Sequence, residues 1–320
     1  TYDKLIDMFE NSIIKPNEDF VIGLDYRIPI AHGLLDRAYV NKLKMSPSFN
    51  AESFAREYLS LWSGSSEESW FNYDKMSKYR KIKNPEWMYQ KARLGERGFY
   101  LLAMDVGRLG DRSEVCVFRV NPNQDGVYYT TLVNIITLGR TPETRQFSYQ
   151  ARDLKRLIKL YKPKEVIIDT NGLGISLADE MLKTHYDLDG SELPPYGFFN
   201  NDDYKKIQPK DAPQILYSMK ANGPLNSQIH GNAYSRVSGG RIRFLITEQE
   251  AKSSLLATKQ GQSMKTEDKI RRLMPHQQTT NLFNQMANLR MKRTGTGLDI
   301  VLEQINARFP KDKYSAFAYG

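Results

Sequence analysis

Two aspartates end apolar runs of the kind that form buried strands. Asp105 closes the run FYLLAMD and Asp169 closes the run VIID. If these strands are parallel neighbours, their carboxyl ends meet at the sheet edge where open α/β folds bind ligands. Two carboxylates there repel each other unless a cation lies between them, and oxygen ligands without Cys or His select Mg²⁺ or Mn²⁺ over Zn²⁺. The pattern therefore predicts a metal site with Asp105 and Asp169 as ligands.

A third carboxylate, Asp312, falls in the first turn of a helix predicted from residue 309, where the helix dipole favours negative charge. We expect Asp312 to be the third catalytic metal ligand beside Asp105 and Asp169. Asp111 is expected to contact these ligands without binding the metal itself. Each acid taken alone also suits a turn or a helix cap. Three carboxylates could hold two such ions about 3.5–4 Å apart.

The elements that must position these acids follow from hydrophobic periodicity. Three strands joined by tight turns are antiparallel neighbours, and a helical crossover then brings in a parallel strand. The predicted fold is α/β, a ribonuclease-H-like mixed sheet with three antiparallel strands followed by parallel strands, flanked by helices. The predicted strands cover residues 99–106, 114–120, 127–138, 166–169 and 195–199, and the predicted helices cover residues 146–160 and 175–183.

The chain before residue 96 shows fewer predicted strands and helices than the rest. A short strand is predicted over residues 20–24 and an amphipathic helix over residues 50–62, followed by the linker-like run SGSSEES. We therefore divide the chain into a first segment 1–62, a linker 63–95 and a ribonuclease-H-like domain 96–320.

Net charge narrows the class of partner. The chain has 46 Lys and Arg against 37 Asp and Glu, a net charge of +9. Residues 1–200 carry 27 of each sign, so the last 120 residues carry 19 basic and 10 acidic side chains and hold the whole excess. Clustered excess positive charge is typical of a phosphate-binding surface, although a solvated basic face gives the same count. The candidate DNA-contacting cations are Arg108, Lys205, Lys206, Arg241, Arg243, Lys265, Lys269, Arg271, Arg272, Lys311 and Lys313.

Composition excludes several other classes. A hydrophobic content of 40% suits a soluble domain with a core, and no apolar run is long enough to cross a membrane. A single cysteine excludes an intrachain disulfide and a Cys-based zinc cluster, which favours the cytosol.

Three motifs in order resemble those of the nuclease domain of phage terminase large subunits. AMDVGRLGDRS at residues 103–113 is similar to the first, VIIDTNGLG at 166–174 to the second, and KDKYSA at 311–316 to the third. The segment FAREYLSLW at 54–62 resembles the stretch that joins the motor domain of these proteins to the nuclease.

This resemblance implies a Mg²⁺- or Mn²⁺-dependent endonuclease that cuts concatemeric double-stranded DNA during viral packaging in the host cytoplasm. Its implied partners are an ATPase motor domain, the terminase small subunit and the portal protein. No G-x-x-x-x-G-K-[ST] motif is present, so we expect no ATPase activity from this chain alone.

Three alternatives remain open at this level. An actin-like or sugar-kinase-like ATPase also begins with a strand and an aspartate, and residues 172–174 could serve as its phosphate loop. A DNA-binding packaging scaffold could carry the same acids without catalysis. A resolvase-like junction nuclease would use the same acids on branched DNA.

Overall fold

The computed structural model describes residues 8, 22–45, 54, 57–60, 69–107, 112–123, 126–292 and 300–320. Within these residues, no helix combines the length and apolar character needed to cross a membrane.

The strands are β1 (Arg80–Ile82), β2 (Phe99–Asp105), β3 (Ser113–Pro122), β4 (Tyr128–Leu138), β5 (Glu165–Asp169), β6 (His185–Tyr186), β7 (Glu192–Leu193), β8 (Gly197–Phe198), β9 (Gln214–Met219), β10 (Ile242–Leu245), β11 (Leu289–Lys292) and β12 (Val301–Gln304). The helices are α1 (Arg27–Ala31), α2 (Arg37–Lys44), α3 (Tyr73–Ser77), α4 (Lys91–Leu94), α5 (Phe147–Tyr161), α6 (Gly174–Met181), α7 (Asp202–Ile207), α8 (Gly223–Ser238), α9 (Glu248–Leu256), α10 (Lys259–Ser263), α11 (Thr266–Ala287) and α12 (Asp312–Tyr319).

Eight strands form one mixed sheet in the order β1-β10-β4-β3-β2-β5-β9-β8. Its centre consists of three antiparallel strands, β4-β3-β2, continued by parallel β5 and β9. This order and these directions are those of the ribonuclease-H-like fold, so the predicted fold class is confirmed. Strands β11-β12 and β6-β7 form two separate hairpins.

Helices cover both faces of the sheet, because the central strands are apolar on both sides. On β2, Tyr100, Leu102 and Met104 pack into the layer that contains α5 and α6. The alternate residues Leu101 and Ala103 pack into the other layer, with α11 and α12. This two-residue period decides which face each strand-end acid occupies.

The predicted fifth strand is only partly right. Residues 197–198 form the short outer strand β8, whereas β9 is the strand that pairs directly with β5. The sequence QILYSM of β9 mixes polar and apolar residues and is short, so its period is weak.

The stretch expected to be a linker over residues 63–95 is folded from residue 69 onward. Phe71 and Met76 are buried in the core, and β1 pairs with β10 at the end of the sheet. Glu86 is 2% exposed, and its carboxylate accepts hydrogen bonds from Arg93 and Arg119. These contacts attach the segment to β3, which local composition could not indicate because the partners are distant in sequence.

The N-terminal part contains α1 and α2, with Phe54 buried between Tyr26 and Tyr58 at ring-centroid distances of 5.5 and 4.9 Å. Residues 22–25 carry no regular element, so the predicted strand over 20–24 is absent at its described positions. Most of the predicted helix over residues 50–62 lies outside the described residues.

Candidate active site

Asp105 and Asp169 stand at the ends of adjacent parallel strands. Met104 of β2 is in register with Ile168 of β5, so the two aspartates follow at the same level. Side chains alternate between the two faces along a strand. Asp105 is therefore on the same face as Leu101 and Ala103, and Asp169 is on the same face as Ile167. Both side chains therefore point to the face covered by α12.

Asp312 reaches this edge as the first residue of α12, which packs across β2 and β3. Ala316 is fully buried, which allows close approach of the helix to the sheet, and the Phe317 ring lies 6.0 Å from that of Phe118. Asp312 is close enough to Asp105 to raise the pKa of that carboxyl. The fold thus brings together all three acids that the sequence singles out.

A fourth carboxylate, Glu114, joins them and was missed by sequence reasoning. It is directly opposite Asp105 in the antiparallel register of β2 and β3, and it is 1% exposed. Thr137 donates to both of its carboxylate oxygens, at 2.9 and 3.1 Å. The available signal was the tight turn between β2 and β3, since a hairpin places its first returning residues opposite Asp105.

Lys313 neutralises Glu114 through a buried ion pair between Nζ and Oε1. Lys313 is 4% exposed, so its ammonium group is buried inside the protein. The prediction that Lys313 contacts DNA is wrong for this structure. Because Lys313 follows Asp312 directly on α12, the ion pair also fixes the start of the helix that carries Asp312.

Burial is the largest cause that raises the pKa of Asp105 well above its usual range. Repulsion from Asp312, Asp169 and Glu114 raises it further, and the nearby ammonium of Lys311 only partly opposes them. A divalent cation at this edge would relieve both the burial cost and the repulsion.

The turn after Asp105 is closed by Ser113. Its hydroxyl accepts from the Gly107 amide at 2.9 Å and donates to the Gln150 side chain at 2.6 Å. Asp169 is held by the Asn171 amide, which donates to Oδ1 at 2.9 Å, and by the Tyr319 hydroxyl, which donates to Oδ2 at 3.0 Å.

Gly174 permits α6 to begin directly beside Asp169. A Cβ at this position would lie 1.8 Å from the Asp169 carbonyl oxygen, so only glycine fits without displacing the strand end. This close approach explains the Gly-rich turn after Asp169 as a packing requirement of the site.

These side chains suit a hard divalent cation because all of them are carboxylates. At least one, Asp105, is buried where its negative charge is unfavourable without a cation. Across the part of the chain that the structure describes, no three His, Cys, Asp or Glu side chains are spaced to enclose one ion. Glu114 is engaged by Lys313 through Oε1, and Asp169 accepts one hydrogen bond from Tyr319 through Oδ2. The acids thus fit the metal in chemistry and charge.

Among the residues that the structure describes, the predicted DNA-contacting cations do not form a single surface. Lys311 is exposed beside the acids. Arg243 is exposed on β10, where it pairs with Thr131, and Arg241 is exposed just before that strand, where its carbonyl accepts from the Thr130 amide. Thr131 is six residues along β4 from Thr137, or roughly 20 Å at about 3.3 Å per residue. The two arginines therefore lie toward the opposite end of the sheet from the carboxylates.

The remaining cations lie on other elements. Lys205 and Lys206 form ion pairs with Asp202 and Asp203 within α7, at 3.0 and 3.3 Å. Lys269 donates to the carbonyl of Gln262 at 2.9 Å. The exposed cations around the start of α11 are Lys265, Arg271 and Arg272. Arg108 and Asp111 lie outside the described residues.

No protein-family model matches the chain, and no curated protein matches it in sequence. Among solved structures, it is similar to the large terminase nuclease of thermophilic phage G20c with bound magnesium: 15% identity, 79% of this chain and 96% of that chain covered, TM-score 0.43. The large terminase nuclease domain of Thermus phage P74-26 is 14% identical, with 77% and 92% covered and a TM-score of 0.41. The HK97 bacteriophage large terminase is 11% identical, with 98% of this chain and 59% of that chain covered and a TM-score of 0.42.

Proposed function

We propose that this chain is a metal-dependent endonuclease that cuts double-stranded DNA for a viral packaging terminase. The observation that carries the proposal is the concentration of Asp105, Asp169, Asp312 and Glu114 at one sheet edge, with Asp105 buried among them. Such an arrangement is costly without a bound cation, and perturbed groups of this kind cluster at functional sites. The ordered sequence motifs around the three aspartates support the same activity.

Asp105, Asp169 and Asp312 would hold two Mg²⁺ or Mn²⁺ ions. When bound, such ions activate a water molecule and stabilise the leaving oxygen of a phosphodiester. The chain itself orients these carboxylates through the ends of β2, β5 and α12. Glu114 is occupied by Thr137 and Lys313, so it supports Asp105 and the start of α12.

A nucleic acid substrate suits the charge of the chain. The exposed ammonium of Lys311 is adjacent to the acids and can attract a phosphate toward them. Contacts of this kind read the DNA backbone, so we expect cleavage with little sequence preference. Asp111 and the exposed cations on other elements remain proposed contributors.

We further propose that residues 1–62 are the end of an ATPase motor domain and that this chain alone has no ATPase activity, since it carries no G-x-x-x-x-G-K-[ST] motif. The terminase small subunit and the portal protein are the proposed partners, and the host cytoplasm is the proposed location. These proposals follow from the resemblance of residues 54–62 and of the three motifs.

Nicking of supercoiled plasmid tests the activity. The purified chain is incubated with Mn²⁺ or Mg²⁺ and compared with Asp105→Ala and with an EDTA control. We expect nicked and linear products only from the wild-type protein with metal. Equal inertness of wild type and variant, or cleavage that survives the substitution, would reject the proposal.

Two further arms separate the alternatives. ATP binding without DNA cleavage would favour an actin-like ATPase, and a strong preference for four-way junctions over linear duplex would favour a junction nuclease. DNA binding that is unaffected by Asp105→Ala, with no cleavage under any metal, would indicate a scaffold.

A further inference from the structure

Helix α12 contributes more to the site than Asp312. Residues 312 and 319 are seven apart, which places them on the same side of a helix, two turns from each other. Asp312 lies beside Asp105 at the start of the helix, and Tyr319 lies beside Asp169 at its end. One helix therefore spans the ends of both catalytic strands.

We propose that Tyr319 is a positioning residue that restricts the orientation of the Asp169 carboxylate at the metal site. This inference rests on the proposed function. The Tyr319 hydroxyl donates to Oδ2 of Asp169 at 3.0 Å, while Oδ1 accepts the backbone amide of Asn171 at 2.9 Å. Each carboxylate oxygen thus has one fixed donor, and the rotation of the group is restricted.

These two donors leave the carboxylate able to bind a cation. An ionised carboxylate has about four lone-pair positions, and the two hydrogen bonds use two of them. Groups that hydrogen-bond a metal ligand from behind fix its orientation, and losing one typically weakens metal binding about 10- to 100-fold. Tyr319 touches the acid rather than the substrate, so it acts through Asp169.

The chain supplies a matched control on the same helix. Tyr314 is a buried tyrosine of α12 whose hydroxyl is 2.9 Å from Nδ1 of His230. Tyr314→Phe therefore removes one hydroxyl and one hydrogen bond from α12 without touching an acid. Any general effect of such a deletion on the helix is common to Tyr314→Phe and Tyr319→Phe.

Calorimetric titration of the DNA-free protein with Mn²⁺ tests the inference, with wild type, Tyr319→Phe, Tyr314→Phe and Asp169→Ala compared side by side. We expect Tyr319→Phe to weaken Mn²⁺ binding about tenfold and Tyr314→Phe to leave it within about twofold. In plasmid nicking, Tyr319→Phe should raise the Mn²⁺ concentration for half-maximal rate by the same factor while the rate at saturating metal changes less.

Equal Mn²⁺ affinity of the two tyrosine variants would overturn the positioning role. Tighter binding by Tyr319→Phe would overturn it as well, because the hydroxyl would then be a competitor of the metal. Failure of the proposed function is a different result: wild type and Asp169→Ala would bind Mn²⁺ alike and neither would nick DNA. Circular dichroism of both Phe variants verifies that they are folded before titration.

Discussion

The buried ion pair between Lys313 and Glu114 offers a strong test of how the site is assembled. Lys313→Met keeps the aliphatic stem but removes the charge, which leaves the Glu114 carboxylate 1% exposed and without its ammonium partner. Thr137 would remain as its hydrogen-bond donor. Removing one partner of a buried pair typically costs about 3–5 kcal/mol, because the other charge stays desolvated.

We therefore expect Lys313→Met to lower the free energy of unfolding by about 3–5 kcal/mol. Its control is Lys311→Met, two residues earlier, because Lys311 is exposed and should change stability by no more than about 0.5 kcal/mol. The double variant Glu114→Gln with Lys313→Met should recover most of the loss, since a neutral amide can still accept from Thr137.

Urea unfolding followed by circular dichroism gives the midpoints of five proteins: wild type, Lys313→Met, Lys311→Met, Glu114→Gln and the double variant. The reasoning is refuted if Lys313→Met and Lys311→Met unfold at the same urea concentration. It is also refuted if the double variant is as unstable as the two single losses added together, because the cycle would then show no coupling between the two side chains.

Further predictions concern the strand end, pH and the apo site. Gly174→Ala should destabilise the fold by roughly 1–3 kcal/mol and reduce nicking, because its Cβ would meet the Asp169 carbonyl, whereas Gly223→Ala has open space; urea midpoints compare them. Burial, with a smaller contribution from a nearby lysine, lowers the pKa of His230 to about 4. The histidine is thus neutral in the folded protein, and its contribution to stability is lost as pH falls from about 6.5 to about 4. Lowering the pKa from 6.5 to about 4 corresponds to about 3 kcal/mol, which solvent screening of the partly exposed imidazole reduces to roughly 1–2 kcal/mol. The stability of wild type relative to His230→Gln should drop by that amount across the window, and a pH-independent difference would contradict this. Asp105→Asn should abolish nicking yet raise the unfolding free energy without metal by about 1 kcal/mol, because burial and repulsion raise the pKa of Asp105. This gain should shrink as pH falls and vanish below the ordinary pKa of about 3.8, where the wild-type carboxyl is protonated in both the folded and the unfolded state.

The sequence was sufficient for the centre of the fold because that information is local. The runs that end at Asp105 and Asp169 are apolar and bounded by turns, and the helix between them has a clear period. The strand-end positions of these acids followed directly from the same pattern, as did the placement of Asp312 at the start of α12.

The parts that were missed depend on contacts between distant residues. Glu114 belongs to the site only through its register with Asp105, and Lys313 is buried only because α12 packs on β3. Nothing in the local sequence distinguishes the buried Lys313 from the exposed Lys311 two residues earlier. Likewise, Arg241 and Arg243 lie far from the acids because β10 joins the sheet beyond β4, a pairing that no local pattern specifies.

Anomalous diffraction from crystals of the protein soaked in Mn²⁺ tests the central claim most directly. The account predicts manganese peaks between the carboxylates of Asp105, Asp169 and Asp312, and their loss in Asp105→Asn crystals. Manganese bound only elsewhere on the protein, or density at this edge that persists in the variant, would contradict it.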